Sequence, residues 1–250
     1  MSMSINFPKM IIFDYGHTLV HEDVWDGVAG TKAMLEYAVS NKNNLTAEQV
    51  NKFADKLFAD IHIAREKCRL EVHQHQFQKL LYEYLQIEIN LAPAAAEEIF
   101  WDNASPANAM PYIKETLGFL HENNIRTGVI SNISFSGEAL RNRINRVLPD
   151  NKFEFIIATS EYIFRKPDKI IFELALRKAG LEAHEVWYCG DSVDFDVVGA
   201  LNSEIFSVWY ESEIDCWYKE RGSQIIPDCE HLHIKDWREL IDKLKELSLS

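Results

Sequence analysis

The chain has no apolar run approaching the roughly 18 to 20 residues that a membrane span requires. The segment from Met1 to Pro8 lacks the basic-then-apolar order of an export signal. Both absences predict a cytoplasmic protein with no membrane partner. Cysteine is scarce: Cys68, Cys189, Cys216 and Cys229 form no Cys-x-x-Cys pair and have no zinc-ligand spacing, so free thiols are expected rather than a disulfide or zinc framework. Positive charge is short as well. Twenty-six Lys and Arg stand against 39 Asp and Glu, a net charge of −13. A field of that sign repels polyanions and argues against a nucleic-acid partner; an anionic substrate would need a local cationic pocket. The nine histidines include His73/His75 and His231/His233. On a helix that spacing turns two rings to different faces, so both pairs are expected at the surface and not as metal ligands.

What is present suits an ordinary globular protein: 250 residues, 47% hydrophobic, 26% charged, ten Gly and seven Pro, enough for one or two domains. There is no internal repeat and no low-complexity tract. Short apolar, β-branched or aromatic runs at Met10 to Phe13, Thr127 to Ile130, Phe153 to Ala158, Val186 to Cys189 and Ile205 to Trp209 read as buried strands. Between them lie helical patterns over Ala109 to Asn123, Ser136 to Val147, Lys169 to Ala179 and Phe195 to Asn202, with a last helix from about Asp236 to Leu247. Strands alternating with helices predict an α/β fold with a parallel sheet covered on both faces.

The block from His21 to Ala107 differs, because nothing in it reads as a strand. Thr46 followed by Gln49 predicts a capping box opening a long helix through Phe53, Leu57 and Ile61. Val72 to Leu85 and Pro93 to Trp101 continue the helical texture. A helical insert after the first strand sits at that strand's carboxyl end, where open α/β sheets bind ligands.

Four motifs stand at or just after the strands: Asp14-Tyr15-Gly16-His17-Thr18; Ser131-Asn132; Arg165-Lys166-Pro167-Asp168; and Gly190-Asp191-Ser192 followed by Asp194 and Asp196. Singly, each has a plain reading: a turn, a helix cap, a helix start at which Pro167 and Asp168 suit the first turn and the dipole. The crowded carboxylates of the fourth repel one another unless something cationic compensates, which a hard cation would do.

Taken in order, Asp14-x-x-x-Thr18, Ser131-Asn132, Lys166-Pro167 and Gly190-Asp191-Ser192 with Asp196 resemble the four motifs of the haloacid dehalogenase-like hydrolase superfamily. The resemblance covers essentially the whole chain, including the place and helical character of the insert. It implies a Rossmann-like, doubly wound sheet with strand order resembling 3-2-1-4-5, a core of residues 1-20 and 108-250, and a mobile helical cap of residues 21-107. It also implies roles. Asp14 matches the nucleophile that forms a covalent aspartyl intermediate. Mg2+ would be held by Asp14, the Gly16 backbone carbonyl and Asp191, with Asp196, rather than Asp194, supporting the metal from outside. Ser131 matches a donor to phosphoryl oxygens and Lys166 the ammonium that offsets charge; Asn132 and Thr18 fall on the substrate-binding side.

One position departs from the pattern. Most phosphatases of the superfamily carry a second Asp two residues after the nucleophile, where it protonates the leaving oxygen; here that residue is Gly16, and His17 is the nearest candidate proton donor. The implied function is a magnesium-dependent phosphatase of a small, anionic, phosphorylated metabolite. The alternatives are a metal-independent 2-haloacid dehalogenase, whose halide leaves unprotonated, and a catalytically degenerate binding protein. The resemblance implies that specificity resides on the cap, where Arg65, Arg69, His73 and nearby Trp25 either face the cleft or face water; the sequence leaves both open.

Overall fold

The computed structural model describes residues 6–215 and 226–249. In chain order the elements are β1 (Met10–Phe13), β2 (Val20–His21), α1 (Gly27–Leu35), β3 (Ala38–Asn41), α2 (Ala47–Cys68), α3 (Gln74–Tyr84), β4 (Ile87–Ile89), α4 (Pro93–Ala104), β5 (Asn108–Ala109), α5 (Ile113–Glu122), β6 (Arg126–Ser131), α6 (Gly137–Val147), β7 (Phe153–Ala158), α7 (Lys169–Ala179), β8 (Val186–Gly190), a π turn over Val193–Val197, α8 (Val198–Asn202), β9 (Phe206–Tyr210), β10 (Leu232–Ile234) and α9 (Trp237–Ser248).

Six strands form one sheet in the order β10-β9-β8-β1-β6-β7, every pair parallel. Counted along the chain this is 3-2-1-4-5 with a sixth strand added at the far edge. β1 is at the centre and fully buried because both faces are covered. Its alternate residues serve opposite layers. Ile11 and Phe13 pack with Leu140, Ile144, Trp237 and Leu240; Met10 and Ile12 pack with Ile171, Phe172, Ala175 and Ala200. The helices end where the sequence supplies caps: Asp168 accepts from Ile170 N at the start of α7, and Gly180 closes it at φ 64.

The segment between β2 and β5 holds α1 to α4 around a cluster of its own, built on Met34, Val50, Leu81, Tyr82, Ile87 and Ala96. The Thr46/Gln49 capping box is present, and α2 runs on to Cys68. Strands also occur here, contrary to the expectation of none. β3 and β4 pair antiparallel, and β2 and β5 pair where the chain leaves and rejoins the sheet. At two to four residues each, they are too short to give a period.

Three other expectations are corrected. The helix expected from Ala109 begins at Ile113, because Asn108 and Ala109 are strand and Tyr112 is left-handed at φ 62. The helix expected from Phe195 begins two residues earlier, with a π turn as its first part. His231 and His233 flank Leu232 at a strand, where an i, i+2 pair shares a face. They are half-buried beside Trp209, on which His233 stacks at 4.1 Å. His73 and His75 are also half-buried; His73 caps α3. Cys68, Cys189 and Cys229 are free thiols; Cys216 lies outside the described residues. No helix among those residues is long and apolar enough to cross a membrane.

Candidate active site at the carboxyl ends of the strands

Asp14 is the first residue beyond β1 and is fixed by its own backbone, whose N–H donates to Cys189 O at 2.8 Å. Ile12 lies beside Tyr188 in the β1–β8 register, so the two-residue period puts Asp14 and Gly190 on the same face one step further on. Gly190 is glycine for a local reason: a Cβ there would lie 2.3 Å from Cγ of Asp196. Asp196 occupies that space because the chain after Ser192 winds as a π turn, closed by Val197 N donating to Ser192 O at 3.2 Å. The same turn leaves Asp194 exposed.

Lys166 brings the motifs together. Its buried ammonium donates to Asp14 Oδ1 at 2.7 Å, to Asp196 Oδ1 at 2.6 Å and to Tyr188 Oη at 2.7 Å. Asn132, expected to bind substrate, is committed instead to the lysine backbone: its Oδ1 accepts from Lys166 N at 2.8 Å and its Nδ2 donates to Lys166 O at 2.9 Å. Ser131 ends β6, buried beside the turn that starts at Asp14. The cap of α6 is Ser136, not Ser131 or Asn132. In the first motif, His17 takes the left-handed position at φ 49 and is buried. Its N–H donates to Val20 O at 2.7 Å. Thr18 is buried with no hydrogen-bond partner for Oγ1 among the described residues, while its carbonyl accepts from Trp237 Nε1 at 3.2 Å.

Crowding sets the charges. Burial raises the Asp14 carboxyl to about 7; Lys166 pulls it down, and Asp196 and Asp191 push it up. For Lys166, burial works against the ammonium, but Asp14 and Asp196 outweigh it, and its pKa ends above the ordinary lysine value. Burial also keeps Tyr188 a neutral phenol.

One oxygen from each of Asp14, Asp191 and Asp196 lies within 4.8 Å of the others. An all-carboxylate donor set suits a hard divalent cation. Asp196 is the poorest donor of the three: Oδ1 accepts from Lys166 and Tyr188, and Oδ2 accepts from Ser192 N at 2.9 Å. Asp14 and Asp191 therefore fit a cation best, with Asp196 bracing the lysine.

Two further clusters gave no sequence signal. Arg143, buried on α6, reaches both crossings between the sheet and the insert. It donates to Glu22 Oε1 at 3.1 Å, to Asp102 Oδ1 at 2.8 Å, to Ser105 O, and to Tyr15 Oη at 3.1 Å, beside Asp14. Glu71 of the insert has a fully buried carboxylate that accepts from Arg65 Nη2 at 2.9 Å and from Thr159 Oγ1 at 3.2 Å; Arg165 Nε is 3.7 Å away. Arg65 and Arg165 are thus tied to the seam between insert and sheet, while Arg69 is an exposed helix end and Trp25 packs edge-on to Phe100.

The family model for haloacid dehalogenase-like hydrolases matches residues 8–203, and the chain belongs to that family. It is a hydrolase. Among curated relatives, the glyceraldehyde 3-phosphate phosphatase of Pyrococcus furiosus is 27% identical over 160 residues, covering 61% of this chain and 65% of that one, just under two thirds of its length. The pyrimidine 5'-nucleotidase YjjG of Escherichia coli is 26% identical over 220 residues, 87% of this chain and 90% of that one. Among solved structures, the 2-haloacid dehalogenase of Pseudomonas syringae pv. Tomato DC3000 superposes with a TM-score of 0.61 at 20% identity, over 96% of this chain and 99% of that one. That likeness concerns the fold.

Proposed function

We propose that the protein is a magnesium-dependent phosphatase of a small phosphorylated metabolite, with Asp14 as nucleophile and residues 21-107 acting as a cap over the site. The carrying observation is the buried Lys166 ammonium between Asp14 and Asp196, with Asp191 alongside. Three buried carboxylates facing one ammonium call for a further cation. A phosphoryl group is the substrate that supplies oxygen ligands to such a cation; a halide leaving without a proton makes no use of it. The names of the two curated relatives, a phosphatase and a 5'-nucleotidase, support the same choice.

Lys166 holds Asp14 Oδ1 by a charge-assisted hydrogen bond, fixing the rotamer from which the other oxygen attacks phosphorus. The phosphorus–oxygen bond to the leaving group breaks as the Asp14 acyl phosphate forms, and water then releases phosphate. Ser131 donates to the phosphoryl oxygens, and the Lys166 ammonium offsets by its charge, rather than by a further hydrogen bond, the negative charge that concentrates there in the transition state. Asn132 acts through Lys166 by clamping its peptide groups. Mg2+, held by Asp14, Asp191 and the Gly16 carbonyl, would draw charge from the phosphoryl oxygens and favour ionised Asp14. Gly16 brings no acid, so the reading favours substrates whose leaving group needs little protonation, with His17 as the candidate donor nearest in the chain.

Phosphate release from a panel of sugar phosphates, nucleotides and p-nitrophenyl phosphate, with magnesium and with chelator, tests this. Wild type should turn over only with magnesium. Magnesium should also raise the melting temperature of wild type and not of Asp191→Ala, since a ligand of the folded state stabilises by mass action. An equal shift in both proteins, or turnover under chelator, contradicts the reading.

A further inference from the structure

An ammonium has three N–H donors, and that of Lys166 has three protein acceptors within 2.7 Å. Two are the carboxylates of Asp14 and Asp196. The third is the phenol of Tyr188, which the proposed mechanism leaves without a role. We propose that Tyr188 is a positioning residue: its phenolic oxygen takes the third ammonium proton and so holds Lys166 against Asp14. The proposal rests on the reading of Asp14 as nucleophile.

The sheet places the phenol where this requires. Tyr188 is the β8 neighbour of Ile12, one step below the level at which Asp14 leaves β1 and Gly190 leaves room for Asp196. The lysine therefore meets two carboxylates on one level and the phenol on the level beneath. The ring is held in turn. Phe172 packs against it edge-on at 5.1 Å and 71°, and Oη lies 3.2 Å from Asp196 Oδ1 and 3.3 Å from Ile130 O. Its single proton has an acceptor in either direction while a lone pair faces the ammonium. Because burial keeps the phenol neutral, it fills the third place without adding to the repulsion among the acids. Phenylalanine at 188 would keep the ring packing and leave one buried N–H with no acceptor. The flexible lysine stem would then let the ammonium turn away from Asp14.

The test is Tyr188→Phe in the full chain, assayed with p-nitrophenyl phosphate and magnesium, with inhibition by vanadate and by inorganic phosphate measured alongside. Loss of positioning should lower kcat by roughly ten- to a hundredfold and leave KM within about threefold. Vanadate, which resembles the transition state, should lose affinity in step with kcat/KM, and phosphate should not. A folded variant with kcat within about twofold of wild type, or equal losses for vanadate and phosphate, overturns the proposal.

A second measurement needs no turnover. The Lys166 ammonium of wild type, assigned by its absence in Lys166→Met, should give a ¹H–¹⁵N signal with slow proton exchange, lost in Tyr188→Phe. Exchange as fast as that of exposed lysines in wild type overturns the proposal. If wild type releases no phosphate from any ester, the phosphatase reading fails, and the ammonium signal still decides whether Tyr188 holds Lys166.

Discussion

Gly16 carries more of the account than any other single residue. On the proposed reading it takes the place of the acid that would protonate the leaving group, within a turn whose left-handed position is taken by His17. Gly16→Asp should restore a proton donor and speed esters with poor leaving groups, by up to about 10², while activated esters gain less. Rates on both ester classes that stay level or fall together, in a variant that melts normally, would show that the missing acid does not limit the site. Asp14 supports a separate expectation. Its folded value of about 7 exceeds the ordinary 3.8, so the native state favours the protonated form. The stability this contributes is full below the ordinary value and is lost as pH rises through about 7. Without magnesium, the melting temperature of wild type should therefore fall between about pH 4 and 7 more steeply than that of Asp14→Asn. Parallel profiles would contradict the assignment. Tyr188 and Asn132 were not legible as partners of Lys166, because 22 and 34 residues separate them in the chain and a single sequence carries no trace of such pairings.

Elements were legible in proportion to their length and burial. The strands β1, β6, β8 and β9 stand out because a parallel interior strand must be apolar on both faces, and the edge strand β7 is buried at every residue but Glu154; helices α6, α7 and α9 stand out by their caps and period. The pair β3 and β4 did not. Ala38–Asn41 has no fully buried residue, and Ile87–Ile89 is too short for alternation to register. The π turn is likewise invisible, since it uses residues that suit an α-helix equally well. Between sheet and insert, the two crossings are joined by the β2–β5 pair and by Arg143. Its side chain is 3% exposed and its partner Glu22 16%. Arg143→Met would leave Glu22 buried without its cation, and should destabilise the protein by about 3–5 kcal/mol in denaturant unfolding. A loss below about 1 kcal/mol, the level of an exposed pair, would show that the network is not what joins the crossings.

At the scale of the whole molecule, a chain with a net charge of −13 binds an anion only if positive charge is concentrated at one place. On the proposed reading that place is the carboxyl ends of the strands, where a cation would join Lys166. The central strand delivers Asp14, its neighbours deliver Ser131 and the Asp191–Asp196 loop, and the segment before α7 delivers the ammonium that makes them compatible. The central claim is that Asp14 becomes covalently bonded to phosphorus during turnover. Rapid acid quenching during hydrolysis of a substrate found in the panel, followed by mass spectrometry of the peptide that carries Asp14, addresses it directly. The account predicts a transient gain of one phosphoryl group on Asp14, absent in Asp14→Asn. Wild-type turnover with no adduct there, or with the adduct on another side chain, would contradict it.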